Sequence, residues 1–276
     1  MRAAVLGHVE WVEFVRLEHL PRPGEIAHAL DRWEEPAGGG PVAAVQLLRL
    51  TGGCTFYTAL GDDALGDRAL LELEGLGLRM EAARRNAPTR RAVTLIDADG
   101  ERSITVIGER PHPRADDPLP WDELEDMDCV YVCAADAKAL ELARRARVVV
   151  ATSRLADLLA RAGVRLDAVV GSGSDPSERF DPSTLAEPPA LVVRTEGELG
   201  GTFETGDGRS GRYAAEEPPG PIVDRYGPGD VFAAGLAFAL AREEDLEGAL
   251  ALAARCGAWC VAGRGPYGRL LGAADL

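Results

Sequence analysis

Lysine is almost missing from this chain: Lys138 is the only one among 30 lysines and arginines. It lies in Ala137-Lys138-Ala139 with no glycine nearby, which excludes a G-x-x-x-x-G-K-[ST] phosphate loop. The same scarcity counts against lysine Schiff-base chemistry, including that of pyridoxal phosphate enzymes. Amides are as scarce, with Asn86 the only asparagine and Gln46 the only glutamine. Avoidance of heat-labile amides and a plain codon bias explain this equally well. The 4 histidines, His8, His19, His28 and His112, include no pair at metal-ligand spacing. Positive charge is in deficit, with a net charge of −15, so there is no basic face for nucleic acid. Long apolar runs are missing too. Val231 to Ala241 is about half the length needed to cross a bilayer, and Met1 to Gly7 reads as a strand and not a leader. Hence no membrane partner and a cytoplasmic location are expected. The 5 cysteines are an odd number and do not form a disulfide framework. Cys129/Cys133 and Cys256/Cys260 each sit four apart, but inside apolar runs, so buried thiols are a better reading than a four-thiolate metal site.

With 276 residues, 46% of them hydrophobic, the chain can bury one large α/β core or two small ones. Ala3 to Leu6 reads as a first buried strand. His8 to Glu35, with Pro21, Pro23 and Gly24, reads as short strands and turns. Gly38-Gly39-Gly40-Pro41 opens a helix to about Leu50, with Pro41 suited to its first turn. Thr55 to Leu60 is a strand and Leu65 to Gly75 an amphipathic helix. Ala92 to Ile96 and Arg102 to Ile107 flank the hairpin signal Asp97-Ala98-Asp99-Gly100. From Asp128 onward, apolar runs at Val130–Cys133, Val148–Val150, Ala168–Val170 and Leu191–Val193 have the character of strands buried on both faces of a parallel sheet. Helical stretches at Ala137–Ala146 and Leu155–Ala162 alternate with them. Two apolar helices, about Asp230–Ala241 and Leu246–Ala262, close the chain. No linker divides it, so the expectation is one doubly wound, mostly parallel α/β domain over 1–276. A discontinuous β-rich excursion is expected from about 9–35 and 88–108.

The chemistry is concentrated in Ile222 to Leu240. A strand end, a glycine-rich turn and a wholly apolar helix predict a helix N-terminus buried at the protein's centre, a place suited to an anion. Gly227 and Gly229 allow close backbone approach. Asp230, in the first turn, is expected to stay ionised beside the positive end of the helix and to accept a proton. A plain helix-capping aspartate is the competing reading.

Asp224-Arg225-Tyr226-Gly227-Pro228-Gly229-Asp230 resembles the D-T-x-G-A-G-D signature of the ribokinase-like or PfkB carbohydrate kinases. Five further segments resemble that family in order: Pro23-Gly24-Glu25 (a β-lid over the substrate), Gly38-Gly39-Gly40 (the substrate diglycine), Ala59 to Gly66, Asp99 to Ser103, and Thr195 to Gly200. The resemblance implies ATP-dependent phosphoryl transfer to a hydroxyl of a sugar or nucleoside-like molecule. It makes Asp230 the base and Gly227, Pro228, Gly229 and Asp230 the anion hole. Thr195, Gly197, Gly200 and Arg225 would border ATP; Gly38, Gly39, Gly40 and His8 or Glu10 would meet the substrate. It also implies Mg²⁺ near Asp175, a monovalent cation such as K⁺ near Asp224, and a homodimer paired through the lid.

The chain departs from the pattern in four places. Pro41-Val42-Ala43-Ala44 stands where a substrate-binding asparagine is usual, and Ser172-Gly173-Ser174-Asp175 stands for N-x-x-E. After the first strand the usual aspartate is absent; Glu10 or Glu13 is a candidate stand-in, or His8 faces the pocket. Pro228 removes one N–H from the anion hole, a loss worth about a hundredfold in rate if uncompensated; Arg225 is a candidate replacement. Two other readings follow. A dinucleotide oxidoreductase would rest on Gly171-Ser172-Gly173, but Pro176 replaces its third glycine. A weak or inactive sensor of the same fold, binding a sugar or nucleotide, fits the missing asparagines.

Overall fold

The computed structural model describes all 276 residues. Strand β1 (Ala3–Leu6) shows how the sheet is buried: Ala3 and Val5 enter one apolar layer, Ala4 and Leu6 the other. A strand covered on both faces has no polar side, which is why it reads as an unbroken apolar run. The same alternation holds in β8 (Cys129–Val132), β9 (Val148–Thr152), β10 (Ala168–Ser172) and β11 (Leu191–Thr195).

These strands, with β4 (Cys54–Gly61) and β5 (Arg79–Arg85), form the parallel body of a nine-stranded sheet. Its order is β13-β12-β11-β10-β9-β8-β1-β4-β5, and β12 (Gly201–Thr205) and β13 (Ser210–Tyr213) add an antiparallel edge. Helices α1 (Gly39–Thr51), α2 (Ala64–Gly75), α5 (Pro228–Ala241) and α6 (Leu246–Val261) cover one face; α3 (Ala137–Ala143) and α4 (Ala156–Ala162) cover the other. The doubly wound sheet expected from the sequence is therefore present. A second sheet, β3-β2-β6-β7, is built from β2 (Glu10–Arg16), β3 (Asp31–Ala37), β6 (Arg91–Ile96) and β7 (Arg102–Ile107). No helix is long and apolar enough to cross a membrane.

All five cysteines are free, buried and in one apolar cluster. Burial pushes the Cys129 and Cys256 thiols up to about 12, so they behave as small hydrophobes.

Several elements differ from the sequence reading. β5, β12 and β13 have no strong sequence signal. Arg79–Arg85 reads RMEAARR and is a strand because seven residues pair in register with β4. Helix α3 stops at Ala143, three residues early, where Arg144 folds back onto the carbonyls of Ala146 and Arg147. Ser153–Leu155 form a 3₁₀ turn before α4 begins at Ala156. Helix α5 starts at Pro228, two residues before the expected position, because Gly227 takes the left-handed conformation (φ 84°) and proline is preset for the first helical residue.

Candidate active site

In a parallel sheet every strand delivers its following loop to the same edge. Here β1 hands over Gly7 and His8, β8 hands over Cys133 and Ala134, and β9 delivers Ser153 and Arg154. At the same edge β10 ends before Asp175 and Glu178, and β11 before Glu196 to Gly200. The N-termini of α1 and α5 come to this edge from one side.

Asp230 lies where these parts meet. It is half-buried in the first turn of α5, and its Oδ1 accepts a hydrogen bond of 2.9 Å from the Tyr131 hydroxyl. Gly39, the first residue of α1, faces it so closely that a Cβ there would lie 2.7 Å from Oδ1. Only glycine allows that approach. The backbone N–H groups of Gly227, Gly229, Asp230, Gly39 and Gly40 make no hydrogen bond within the protein. Two helix N-termini thus present unpaired donors to one point. Pro228, the first residue of α5, has no N–H and adds no donor to this set.

The surroundings of Asp230 set its basicity. Burial pushes its carboxyl above the ordinary range, helped by the charge of Glu178, while the Tyr131 hydrogen bond and the charges of His8 and Arg154 pull it down without prevailing. Desolvation therefore outweighs the hydrogen bond and the two positive charges, and the group is a stronger base than an exposed aspartate.

His8 Nε2 lies 3.5 Å from Glu10 Oε1, Arg90 Nε lies 2.8 Å from the same oxygen, and His8 Nδ1 is buried without a partner. Burial acts to raise the Glu10 carboxyl, but the bond to His8 and the charges of His8, Arg90 and Arg110 outweigh it and hold the group low. His8 and Glu10 also pack against Gly38, whose N–H donates to the Tyr226 hydroxyl at 3.0 Å. His8, Glu10, Gly38, Gly39 and Gly40 are therefore together beside Asp230. Glu13 is not with them: its partner is Arg32 on the second sheet.

Asp224 is fully buried. Tyr226 N–H donates to its Oδ1 at 3.0 Å and Gly265 N–H to its Oδ2 at 2.6 Å. Burial pushes its carboxyl up, against these two bonds. Arg225 is half-buried beside the first turn of α5. It pairs with Glu101 in the β6–β7 turn at 2.9 Å and with Glu198 at 2.7 Å. Two carboxylates thus hold the side chain that the sequence offers as a candidate replacement for the missing donor. The pair with Glu198 does draw the Gly197–Leu199 turn towards the start of α5. Thr195 Oγ1 donates to Gly171 O at 3.4 Å, and Gly173 N–H to Thr195 O at 2.8 Å, which locks the loops after β10 and β11 together.

Asp175 caps the Pro176–Glu178 turn and pairs with Arg154 at 2.9 Å. Glu178 pairs with the same arginine at 2.6 Å and accepts the Ser172 N–H at 2.7 Å. Sequence reasoning missed Glu178, Tyr131 and Arg90. Glu178 lies six residues beyond Ser172, outside the N-x-x-E window; Tyr131 looks like one more apolar strand residue. Nothing local marks either one. No cluster of three or more histidine, cysteine or acidic side chains gathers to hold a metal ion.

Known proteins share this fold. The chain is 30% identical over 106 residues to a ribokinase of Dictyostelium discoideum, a match spanning 38% of this chain and 33% of that protein. It is 29% identical over 278 residues to an ATP-dependent ribose-1-phosphate kinase of Halopiger xanaduensis, covering 94% of this chain and 91% of that one. Among solved structures, a ribokinase from Thermotoga maritima superposes with a TM-score of 0.78 at 21% identity, covering 100% of this chain and 97% of the other. The family model described as pfkB family carbohydrate kinase matches residues 2–173 and 180–270, and the chain belongs to that family.

Proposed function

We infer that this protein transfers the γ-phosphoryl group of ATP to a hydroxyl of a sugar or nucleoside-like acceptor, with Asp230 as general base. The observation that carries the reading is the meeting of a raised-pKa carboxyl with unpaired amides from two helix ends. In the transfer, the acceptor oxygen forms a bond to the γ-phosphorus as the bond to the β,γ-bridging oxygen breaks. The hydroxyl proton passes to Asp230, and ADP leaves. The amides of Gly227, Gly229 and Asp230 take up charge on the moving group. Thr195, Gly197 and Gly200 border the nucleotide. Gly38, Gly39 and Gly40 with His8 and Glu10 position the acceptor, and the second sheet acts as a lid that excludes water.

Mg²⁺ would neutralise phosphate charge during transfer. Asp175 and Glu178 are the carboxylates able to reach it. Both are already partnered by Arg154, which fits an ion held mainly by nucleotide phosphates and waters. Asp224, whose oxygens each receive a backbone N–H, fixes the turn that carries Tyr226 to Gly38; its remaining lone pairs are the only ones we assign to K⁺. A homodimer would pair through β7, an edge strand whose Ile104, Val106 and Ile107 are all exposed. We place the protein in the cytoplasm.

The test is ADP release with a panel of sugars, nucleosides and their phosphates. Turnover that Asp230→Asn abolishes supports the reading. Ligand-dependent thermal stabilisation with no ADP formed for any acceptor would establish a sensor instead.

A further inference from the structure

The residues before helix α5, Ile222 to Tyr226, belong to no helix or strand. Their course sets where α5 starts, because Gly227 follows at once and carries the first of its unpaired amides. The body of the protein holds this strap through the Val223 N–H, which donates to Val261 O at 2.8 Å, and through the Gly265 N–H on Asp224 Oδ2.

The second sheet holds it from the other side. Arg16, the last residue of β2, donates from Nη2 to Val223 O at 3.0 Å, across 207 residues of chain. Gly100, in the β6–β7 turn, packs so closely that a Cβ there would lie 3.3 Å from the same oxygen. Glu101 pairs with Arg225 at 2.9 Å, and the Phe14 ring meets Tyr226 edge-on with centroids 5.0 Å apart. Tyr226 in turn receives the Gly38 N–H, next to the Gly39 that faces Asp230. A shift of the strap therefore reaches both helix ends at the site.

Arg16 has the most to lose if the two parts separate. It is half-buried, its Nε is buried without a partner, and the bond to Val223 is the one hydrogen bond its side chain makes. Register puts Arg16, Ile96 and Arg102 in one row across β2, β6 and β7, so both arginines stand on the same face. Burial pushes the Asp224 carboxyl up, and among the groups opposing it are Arg16 and Arg102. A carboxylate buried in one body with its counter-charge on another is strongly destabilised when that charge is withdrawn. Seating of the second sheet and the shape of the strap are thus one equilibrium.

Resting on the phosphotransferase reading above, we propose that Arg16 is a positioning residue for phosphoryl transfer. Through the Val223 carbonyl it fastens the second sheet to the strap, and so fixes where the Gly227 amide and the Asp230 carboxylate stand. It touches no reacting atom itself.

ADP release is measured with the acceptor turned over fastest in the panel above. Arg16→Gln should lower kcat about 10- to 100-fold, the cost of an ångström-scale shift of the reacting groups. KM for ATP and for the acceptor should stay within about threefold, as for an interaction realised in the transition state. Arg16→Lys, which keeps a charged donor, should recover most of the loss. Glu101→Gln, at an exposed position, should lower kcat about two- to fivefold, the value of an exposed pair, and guards against a folding failure of the first variant. An unchanged kcat, a loss confined to KM, or an Arg16→Lys enzyme no faster than Arg16→Gln overturns the proposal and leaves the kinase standing. If no acceptor is turned over, the kinase reading fails. Amide hydrogen exchange then decides the role of Arg16: faster exchange over 222–231 in Arg16→Gln, with β1 and β4 unchanged, supports it. Exchange equal to wild type, or faster throughout the chain, overturns it.

Discussion

Replacing Asp230 by asparagine separates catalysis from architecture. Asparagine keeps the shape and an oxygen to accept the Tyr131 hydroxyl 2.9 Å away, but it cannot take a proton. Loss of a general base lowers kcat about 10²- to 10⁴-fold. Stability should move the other way or not at all. Burial raises the Asp230 carboxyl above its ordinary 3.8, so the native state holds this proton to higher pH than the unfolded chain. Its stabilising effect is complete below the unfolded value and is lost as pH rises through the folded one; above that, the charged form is a native-state cost. Each unit of elevation is worth about 1.4 kcal/mol, and exchanging a charged for a neutral acceptor at Tyr131 returns about 1 kcal/mol. At neutral pH the variant should therefore melt at the wild-type temperature or a few degrees above it, at about 2–4 °C per kcal/mol for a chain of this size. Steady-state ADP release and calorimetric melting read the two effects. A variant that keeps kcat within about threefold of wild type refutes the base assignment. One that melts far below wild type shows that Asp230 holds the fold together.

Three further outcomes follow from the same geometry. Gly39→Ala places a methyl group 2.7 Å from Asp230 Oδ1, so the carboxylate must move; kcat should fall about 100-fold, the cost of an ångström-scale misplacement, while circular dichroism stays native. An unchanged kcat would show that Gly39 does not border the reacting groups. Tyr131→Phe removes a bond that holds the Asp230 carboxyl down, so its pKa rises further and the acid limb of kcat/KM moves to higher pH. A pH profile that stays in place contradicts this. If the second sheet pairs between subunits, Ile104→Lys with Val106→Lys should turn a dimer into a monomer by sedimentation, and a monomeric wild type disposes of that interface.

Burial of the central strands was legible because the covered part of a parallel strand must be apolar on both faces, as Val148 to Ala151 and Leu191 to Val193 are. The apolar helix after Gly227-Pro228-Gly229-Asp230 was legible for a related reason: glycine, proline and aspartate at these positions are local backbone chemistry, readable without a fold. Arg79–Arg85 was not, since its pairing with β4 comes from elsewhere in the chain.

The sequence by itself therefore determined the layered sheet, the diglycine and the aspartate at a helix start, all of which depend on neighbours within a few residues. Only the tertiary structure decided what those groups meet. It set Tyr131 against Asp230 across 99 residues of chain, tied Arg225 to Glu101 and Glu198, and joined Glu178 and Asp175 on Arg154. It also buried Asp230, which pushes the carboxyl up. Desolvation and Coulomb interactions depend on distance in space, and a sequence records only distance along the chain.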